Sequence, residues 1–545
     1  MLFYRGSIFS GFDLIAGDPG DARFVMAICE HWLMVLQGLA DWRDPAFFHP
    51  VKGVLGYSDA LFLYLPIYAL ARVVGADVYL AFQATLMTLN AIGYLAFITL
   101  ATRYLRVGAG VAILGALLFV FANNLYLVAG HPQLYAIYLV PVWLVLVCWA
   151  WETHPTRPAL AMARGIIAGL FFALLLYTSY YIGWFLALAV LCFSILWLLP
   201  CGGIQRISLP LLRQGGGLGI GMGLGFTLGI VPFLLTYMPV LAQGFRRDPE
   251  AFRFWTGTPL DLLNVGTENW LWGWSVRGEP GAIGSAIAST ELSIAVTPMV
   301  TLMATMGSAL LVSFGLPNLE PRSDREARRL LAAACLTFLV LLVLPIRWGE
   351  VAPWAWVMEA IPGAIAVRAM FRVELLAGLV ACLLVTVILS NLAGHFRVKN
   401  MRRVAMPVIA LLGTLLLIEQ INTLDVTHVD RRAGLDLLKG SQSMPKECTS
   451  FVLGDVRPVG ATHPVVVAAA QQIDAILIGQ ALALPTINGY SGQIPRGWMQ
   501  LDPRDSGFID KINRWSAMQG DLPGLCIYGR RDDLWVLPQR RDQSG

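Results

Sequence analysis

Residues 164–200 read RGIIAGLFFALLLYTSYYIGWFLALAVLCFSILWLLP. Apart from Arg164 the run carries no charge, and it is about twice the length that an α-helix needs to cross the hydrocarbon core of a bilayer. Thr178-Ser179-Tyr180-Tyr181 splits it into two apolar halves. The stretch therefore reads as two spans, 164–181 and 183–200, joined by a short polar hairpin at one membrane surface. A chain built around such a pair is an α-helical polytopic membrane protein.

The whole sequence agrees. Of 545 residues 57% are apolar and 14% charged, and the mean hydropathy is +0.64. Soluble domains carry about a quarter charged residues, so a string of soluble domains is excluded, as are secreted and disordered compositions. The net charge of +4 is too small to point to nucleic acid. Eight further apolar stretches complete a set of ten transmembrane helices: 77–101, 109–129, 133–151, 215–236, 291–314, 329–346, 372–392 and 404–421. The span 215–236 holds Gly215, Gly216 and Gly217, then Gly219, Gly221, Gly223 and Gly225, small residues that let helices approach closely in lipid.

The basic residues orient the bundle. Arg103 and Arg106, Arg157 and Arg164, Arg206 and Arg213, Arg322, Arg325, Arg328 and Arg329, and finally Arg397, Lys399, Arg402 and Arg403 all fall on one side of the ten-span arrangement. That side is cytoplasmic by the positive-inside rule. Segment 1–76, the loops 237–290 and 347–371 and the tail 422–545 then lie outside. The chain divides into an external first segment (1–76), a transmembrane domain (77–421) and a soluble C-terminal α/β domain (422–545), which is periplasmic if the membrane is a bacterial inner membrane. The tail is about 21% charged against about 11% before it, the contrast expected between a water-exposed domain and a lipid-embedded body. Residues 1–76 would be exported without a span or signal peptide ahead of them, since Met1–Phe9 has no adequate apolar region. A further membrane helix ahead of Met1 is the expectation.

Segment 11–59 is polar and aromatic, unlike anything lipid requires. From Ala22 to Leu39 its pattern suits an amphipathic helix lying at the interface, with Asp21 at or near the N-cap. Asp18 and Asp21 either cap that helix or act chemically, accepting a proton from a hydroxyl or ligating a metal. Thr449–Leu453, Leu525–Tyr528 and Leu534–Leu537 are strand-like, Gln471–Leu484 is helical in character, and the Asn-Gly and Ser-Gly pairs of 485–492 mark turns. Cys448 and Cys526 are the only cysteines of the tail and allow one bridge in an oxidising compartment. No dinucleotide, Walker or HExxH motif is present, which argues against a nucleotide-driven pump or a zinc protease.

Several short motifs carry a resemblance: GDPGDARF (17–24), EHW (30–32), FFHP (47–50), YSD (57–59), GH (130–131), PGAIAVR (362–368) and PTINGYSG (485–492). With them the chain resembles the GT-C superfamily of integral-membrane glycosyltransferases, and within it a widespread group of bacterial membrane proteins. The resemblance implies a GT-C-like fold with a membrane helix ahead of the acidic pair. It also implies transfer of a sugar from a polyprenyl-phosphate or polyprenyl-diphosphate donor to an envelope acceptor (glycan, lipid or protein) at the outer face. The family's first-loop acid corresponds to Asp21 or Asp18, and Asp21, which leads into the helix, is favoured as general base.

A departing lipid phosphate needs cationic donors. Arg246, Arg247, Arg253 and Arg277 of the long loop and Arg347 are external, but Arg368 and Arg372, spaced to share one face of a helix, are the preferred phosphate-binding pair, with snorkelling at the interface as the alternative. His131, in an external turn, is a third phosphate-binding candidate or an aid to proton transfer. Glu30 and His31 are secondary, and being adjacent they face different ways. Trp255, Trp270, Trp272 and Trp274 suit an interfacial belt or a sugar-stacking surface. A divalent cation, Mg or Mn, is left open. The rival readings are a secondary transporter or lipid-linked sugar flippase, which would carry charges near mid-membrane, and a non-catalytic envelope scaffold.

Overall fold

All ten apolar stretches are helical over most of their length, because backbone groups in lipid have no water to bond and must satisfy one another within the segment. The structure is a computed structural model and describes residues 4–153, 156–198, 210–244, 255–276, 292–314, 321–398, 402–424, 427–439, 444–455 and 464–536. In chain order its principal elements are α1 (Arg5–Phe9), β1 (Leu14–Ala16), α2 (Asp21–Leu36) and α3 (Leu65–Val73). The bundle follows: α4 (Val78–Tyr104), α5 (Ala109–Leu127), α6 (Pro132–Trp151), α7 (Pro158–Thr178), α8 (Tyr180–Leu198), α9 (Pro210–Gly229) and α10 (Val231–Ala242). It continues through α11 (Pro298–Phe314), α12 (Pro321–Val343), α13 (Pro353–Ala360), α14 (Met370–Phe396) and α15 (Arg402–Ile418). The tail supplies β2 (His428–Asp430), α16 (Arg431–Leu438), β3 (Ser450–Leu453), α17 (Pro464–Leu482), α18 (Phe508–Met518), β4 (Leu525–Gly529) and β5 (Leu534–Val536).

The chain is a multi-pass membrane protein, and its ten apolar stretches differ in how well each meets the length of a span. Among the described residues six helices (α4 to α8 and α14) are long and apolar enough to cross, and α9 with α10, bent by 52°, makes a seventh if the pair is one span. The other three expected spans fall short for local reasons. Helix α11 is only 17 residues long and α15 contains Pro407, whereas α12 opens on the polar turns of Pro321-Arg322-Ser323-Asp324-Arg325-Glu326.

Helices α7 and α9 pack through glycine. A Cβ on Gly169 would lie 2.0 Å from the Met222 carbonyl oxygen, and one on Gly225 would lie 2.0 Å from that of Ile166. The two backbones touch, which is how helices gain dispersion contact where lipid removes the hydrophobic drive.

Helix α2 corrects the expectation of an interfacial helix, for twelve of its sixteen residues are buried. The tail covers the face that would have met the membrane surface. Arg23 is paired with Asp474 of α17, both buried, and Gln480 Nε2 donates to the Ala27 carbonyl at 2.7 Å. The tail is tied down again where β1 and β2 pair antiparallel, Leu14 opposite Asp430. Arg431 beside them donates to Asp77 Oδ2 at 2.6 Å, and Asp77 caps α4.

The tail is α/β. Its sheet has the order β3-β4-β5, parallel then antiparallel, and Cys448 and Cys526 are joined by a disulfide with Cα atoms 5.6 Å apart. Its core has two parts: Leu437, Phe451, Leu453, Ala475, Ile478, Leu484 and Tyr528 form a cluster of their own, and the rest joins the bundle. Val452, Ile473, Ile487, Trp498 and Trp515 belong to one buried cluster with Phe24, Phe47, Phe48 and the bundle.

Candidate active site

Asp21 is the first residue of α2, yet it does not cap it. The N-cap position is Gly20, and the backbone N–H of Ala22 is taken by Asp18 Oδ1 at 2.9 Å. Capping therefore falls to Asp18, and Asp21 is left to bond elsewhere. His131 Nδ1 lies 2.7 Å from Asp21 Oδ2 and Gln133 Nε2 donates to the same oxygen at 3.1 Å. The Tyr490 hydroxyl donates to Oδ1 at 2.6 Å. An ionised carboxylate only accepts, so the imidazole carries its proton on Nδ1. Three segments remote in sequence thus converge on one carboxylate: the first segment, the turn between α5 and α6, and the tail.

The two acids occupy different electrical settings. Burial works against the Asp21 charge, but the bonds and charge of His131 and the bonds of Tyr490 and Gln133 outweigh it and hold the carboxyl below the usual range. For Asp18 burial and the neighbouring Asp21 charge win, and its carboxyl is raised to about 6. Oxygen Oδ2 of Asp18 is walled by glycines: it stands 3.7 Å from where a side chain on Gly130 would begin and 3.9 Å from the same point on Gly20. Buried and beside the Asp21 charge, the Tyr490 phenol is raised, with Arg368 opposing the rise.

A third acid, Asp59 of the YSD motif, faces the same region. It accepts from the Tyr180 N–H at 2.8 Å. Burial raises it to about 6 against the Tyr180 bond and the Arg372 charge, and Asp21 pushes in the same direction as burial.

The arginine pair does not share an α-helical face. Residues 364–366 form one 3-10 turn and 370–373 another, the one that opens α14, so the spacing of four lacks its helical meaning. Arg372 is buried with its guanidinium over the Tyr181 ring at 5.3 Å, while Arg368 is exposed and lies over Trp255 at 5.1 Å. The hairpin after α7 secures this loop: Tyr180 donates to the Gly363 carbonyl at 2.8 Å, Trp184 to Pro362 at 3.1 Å, and Tyr181 accepts from the Arg368 N–H at 3.0 Å. Gly363 has a φ of 85° and would place a Cβ 2.3 Å from the Tyr180 hydroxyl, so only glycine fits there.

Glu30 and His31 are not in the site. They sit nine and ten residues along α2 from Asp21, roughly 14 Å at 1.5 Å per residue. Glu30 accepts from Tyr68 at 2.5 Å and pairs with Arg72. His31 is buried, its Nε2 lies 3.2 Å from the Trp42 carbonyl oxygen, and burial pushes it down to about 4, so it is neutral.

Among the described residues no three His, Cys, Asp or Glu side chains gather closely enough to hold a metal ion. Arg246, Arg247, Arg253 and Arg277 lie outside the described residues. Arg347 serves the backbone, its N–H donating to Gly257. Trp272 donates to Glu419, a buried acid that also accepts from the Met299 and Val300 N–H groups at the start of α11, and Trp270 and Trp274 are exposed. Sequence reasoning did not single out Gln133, Tyr181, Asp59 or Tyr490 as site residues. The last two stand inside quoted motifs, YSD and PTINGYSG, and Gln133 is two residues from His131, so motif membership was the available signal.

No protein-family profile matches the sequence, and no curated protein is significantly similar to it. Among solved structures the chain is similar to the apo oligosaccharyltransferase of Archaeoglobus fulgidus, at 14% identity and a TM-score of 0.44, over 87% of this chain and 61% of that one. It thus spans about three fifths of the length of that protein. It is also similar to ArnT from Cupriavidus metallidurans, both in the apo state (12% identity, TM-score 0.36, 89% of this chain and 84% of that one) and bound to undecaprenyl phosphate (11%, 0.37, 96% and 88%).

Proposed function

We propose that the protein is a membrane glycosyltransferase that moves a sugar from a polyprenyl-phosphate-linked donor to a hydroxyl acceptor, with inversion at the sugar carbon. The observation that carries this reading is the division of labour between Asp18 and Asp21. A hydroxyl is a poor nucleophile until a positioned base takes its proton, and the best base titrates near the working pH. Asp18, raised to about 6 and edged by glycine, suits that task. Asp21, bonded on both oxygens and held ionised, suits orientation of His131.

In the step, the acceptor proton passes to Asp18, the acceptor oxygen bonds to the anomeric carbon, and the bond from that carbon to the phosphate oxygen breaks with its electron pair on the phosphate. The exposed guanidinium of Arg368 would meet the charge that gathers there, and buried Arg372 supports the Asp59 side of the site.

The same reading puts the site on the extracytoplasmic face of a bacterial inner membrane. Arg103, Arg164, Arg328 and Arg329 sit in helix turns at the opposite end of the bundle, and a disulfide in the segment that carries Tyr490 suits an oxidising compartment.

The test uses the purified full-length protein in nanodiscs with radiolabelled polyprenyl-phosphate and polyprenyl-diphosphate sugars and a membrane extract as acceptor. Transfer by the wild type, reduced about a thousandfold in Asp18→Asn with unchanged folding, supports the proposal. Movement of intact donor across the bilayer without bond cleavage, or full turnover by Asp18→Asn, overturns it.

A further inference from the structure

We infer that Tyr490 is a positioning residue for the transfer reaction, so that the tail completes the catalytic site. The inference rests on the glycosyltransferase reading above. Of the three side chains that donate to Asp21, two come from the turn after α5 and both use Oδ2. Among the described residues Tyr490 is the side-chain donor on Oδ1, at 2.6 Å. A carboxylate bonded on one oxygen still swings about its Cβ–Cγ bond. Bonded on both, from opposite directions, it is held in one orientation with its charge kept.

The tail fixes the hydroxyl in place with more than one restraint. The Tyr490 ring meets Phe24, one turn beyond Asp21, edge to face at 5.4 Å between centroids. Its neighbour Gly489 lies against the Phe48 ring so closely that a Cβ there would stand 2.1 Å from it. Asn488 is buried, accepts from the Leu453 N–H at 2.9 Å and donates to Gln472 at 2.8 Å. The Phe48 N–H donates to the Asn488 carbonyl at 2.9 Å, and the His49 N–H to that of Thr486 at 3.0 Å. The 485–490 loop is thus stitched to β3, to α17 and to the FFHP motif of the first segment. That whole assembly delivers one hydroxyl to one carboxylate oxygen.

The consequence for the reaction is electrostatic and geometric. With Oδ1 released, Asp21 turns, the imidazole that it orients loses its fixed direction, and the Asp21 carboxyl rises while His131 and Gln133 still hold it low. Donor binding at the arginine-bearing loop 362–373 is a separate contact and is spared.

The experiment compares Tyr490→Phe with wild type in the full chain, reconstituted in nanodiscs with the radiolabelled polyprenyl-linked sugar that the wild type uses. The phenyl ring keeps the Phe24 contact and deletes only the hydroxyl. We expect kcat to fall by about ten- to a hundredfold with KM for the lipid donor unchanged. In an Asp21→Asn background the same change should cost no further activity, because the coupled pair is already broken.

Tyr490→Phe at wild-type rate beside an inactive Asp18→Asn overturns the positioning role alone, as does a full additional loss in the Asp21→Asn background. A wild type that transfers no sugar from either donor class overturns the reading beneath it. Melting temperature and size-exclusion profile, measured for each variant, separate a loss of fold, which counts against the inference, from a loss of turnover.

Discussion

The two ends of the bundle use charge differently. At the arginine-rich end, side chains are exposed or half-buried and meet partners on their own or a neighbouring helix end. Arg103 meets Glu152 at 3.0 Å across open surface, Arg328 meets Asp324 one helical turn away, Arg164 stacks on Trp149 at 4.1 Å, and Arg329 donates to the Trp197 carbonyl. At the other end, charged and polar side chains are buried or half-buried and bond across hundreds of residues: Arg23 with Asp474, Asp21 with Tyr490, Arg431 with Asp77. Water reaches the first set at least in part, so its pairs add little to stability. Burial removes that solvation from the second set, so each charge there must find a partner within the protein, and the partners fold the tail onto the site.

The sharpest way to break this contrast is to strand a buried charge. Asp474→Asn leaves the Arg23 guanidinium buried without its counter-charge, and the expected loss is about 3–5 kcal/mol, read as a fall in denaturation midpoint in detergent. An unchanged midpoint would mean that the α2–α17 contact is no different in kind from the surface pairs.

The disulfide gives the next largest effect. Its 78-residue separation corresponds to a loop-closure contribution of about 4 kcal/mol or less, so Cys448→Ser with Cys526→Ser should lower the melting temperature, and wild type in reductant should follow it. An unaltered melting temperature in both cases would place the rigidity of the tail in its packing alone.

The pH dependence sharpens the difference between the two acids. The Asp18 carboxyl is raised to about 6, so the reactive carboxylate is lost as pH falls through that value. Transfer should then drop about tenfold per unit below it and be flat above. The sign for stability is opposite. A carboxyl whose folded-state value is raised favours the folded protein while protonated and opposes it once ionised, so stability falls as pH rises from about 4 to about 6. Asp18→Asn, which can still accept the Ala22 N–H, should therefore melt no lower than wild type at pH 7 while losing activity. A parallel loss of both would contradict the separation of roles.

The smallest effect is expected at the far end. Arg103→Ala should leave turnover and melting within experimental error, since the pair it breaks is exposed. A measurable loss of either would show that the arginine end is coupled to the site.

Much of this was legible in one dimension. The ten apolar stretches are helical, and the turn of His131, the acidic pair and the PTINGYSG motif do lie together. The errors have a common cause. Helix α2 was expected at the interface because its own pattern is amphipathic, but a pattern does not say whether lipid, water or another part of the chain covers a face; α17 does. Arg368 and Arg372 were expected on one helical face because the spacing fits one, but the hairpin 178–181 holds that loop in 3-10 turns. Asp21 was expected at or near the N-cap, whereas Asp18 takes the Ala22 N–H and Asp21 is bound by three donors.

The sequence by itself determined that the chain lies in a membrane and where its apolar helices run. Transfer into lipid is close to a sum over neighbouring residues, so it can be read along the chain. Only the tertiary structure decided which aspartate is raised and which is held ionised. That depends on burial and on partners 110, 112 and 469 residues away, and no local pattern encodes a field assembled from such distant segments.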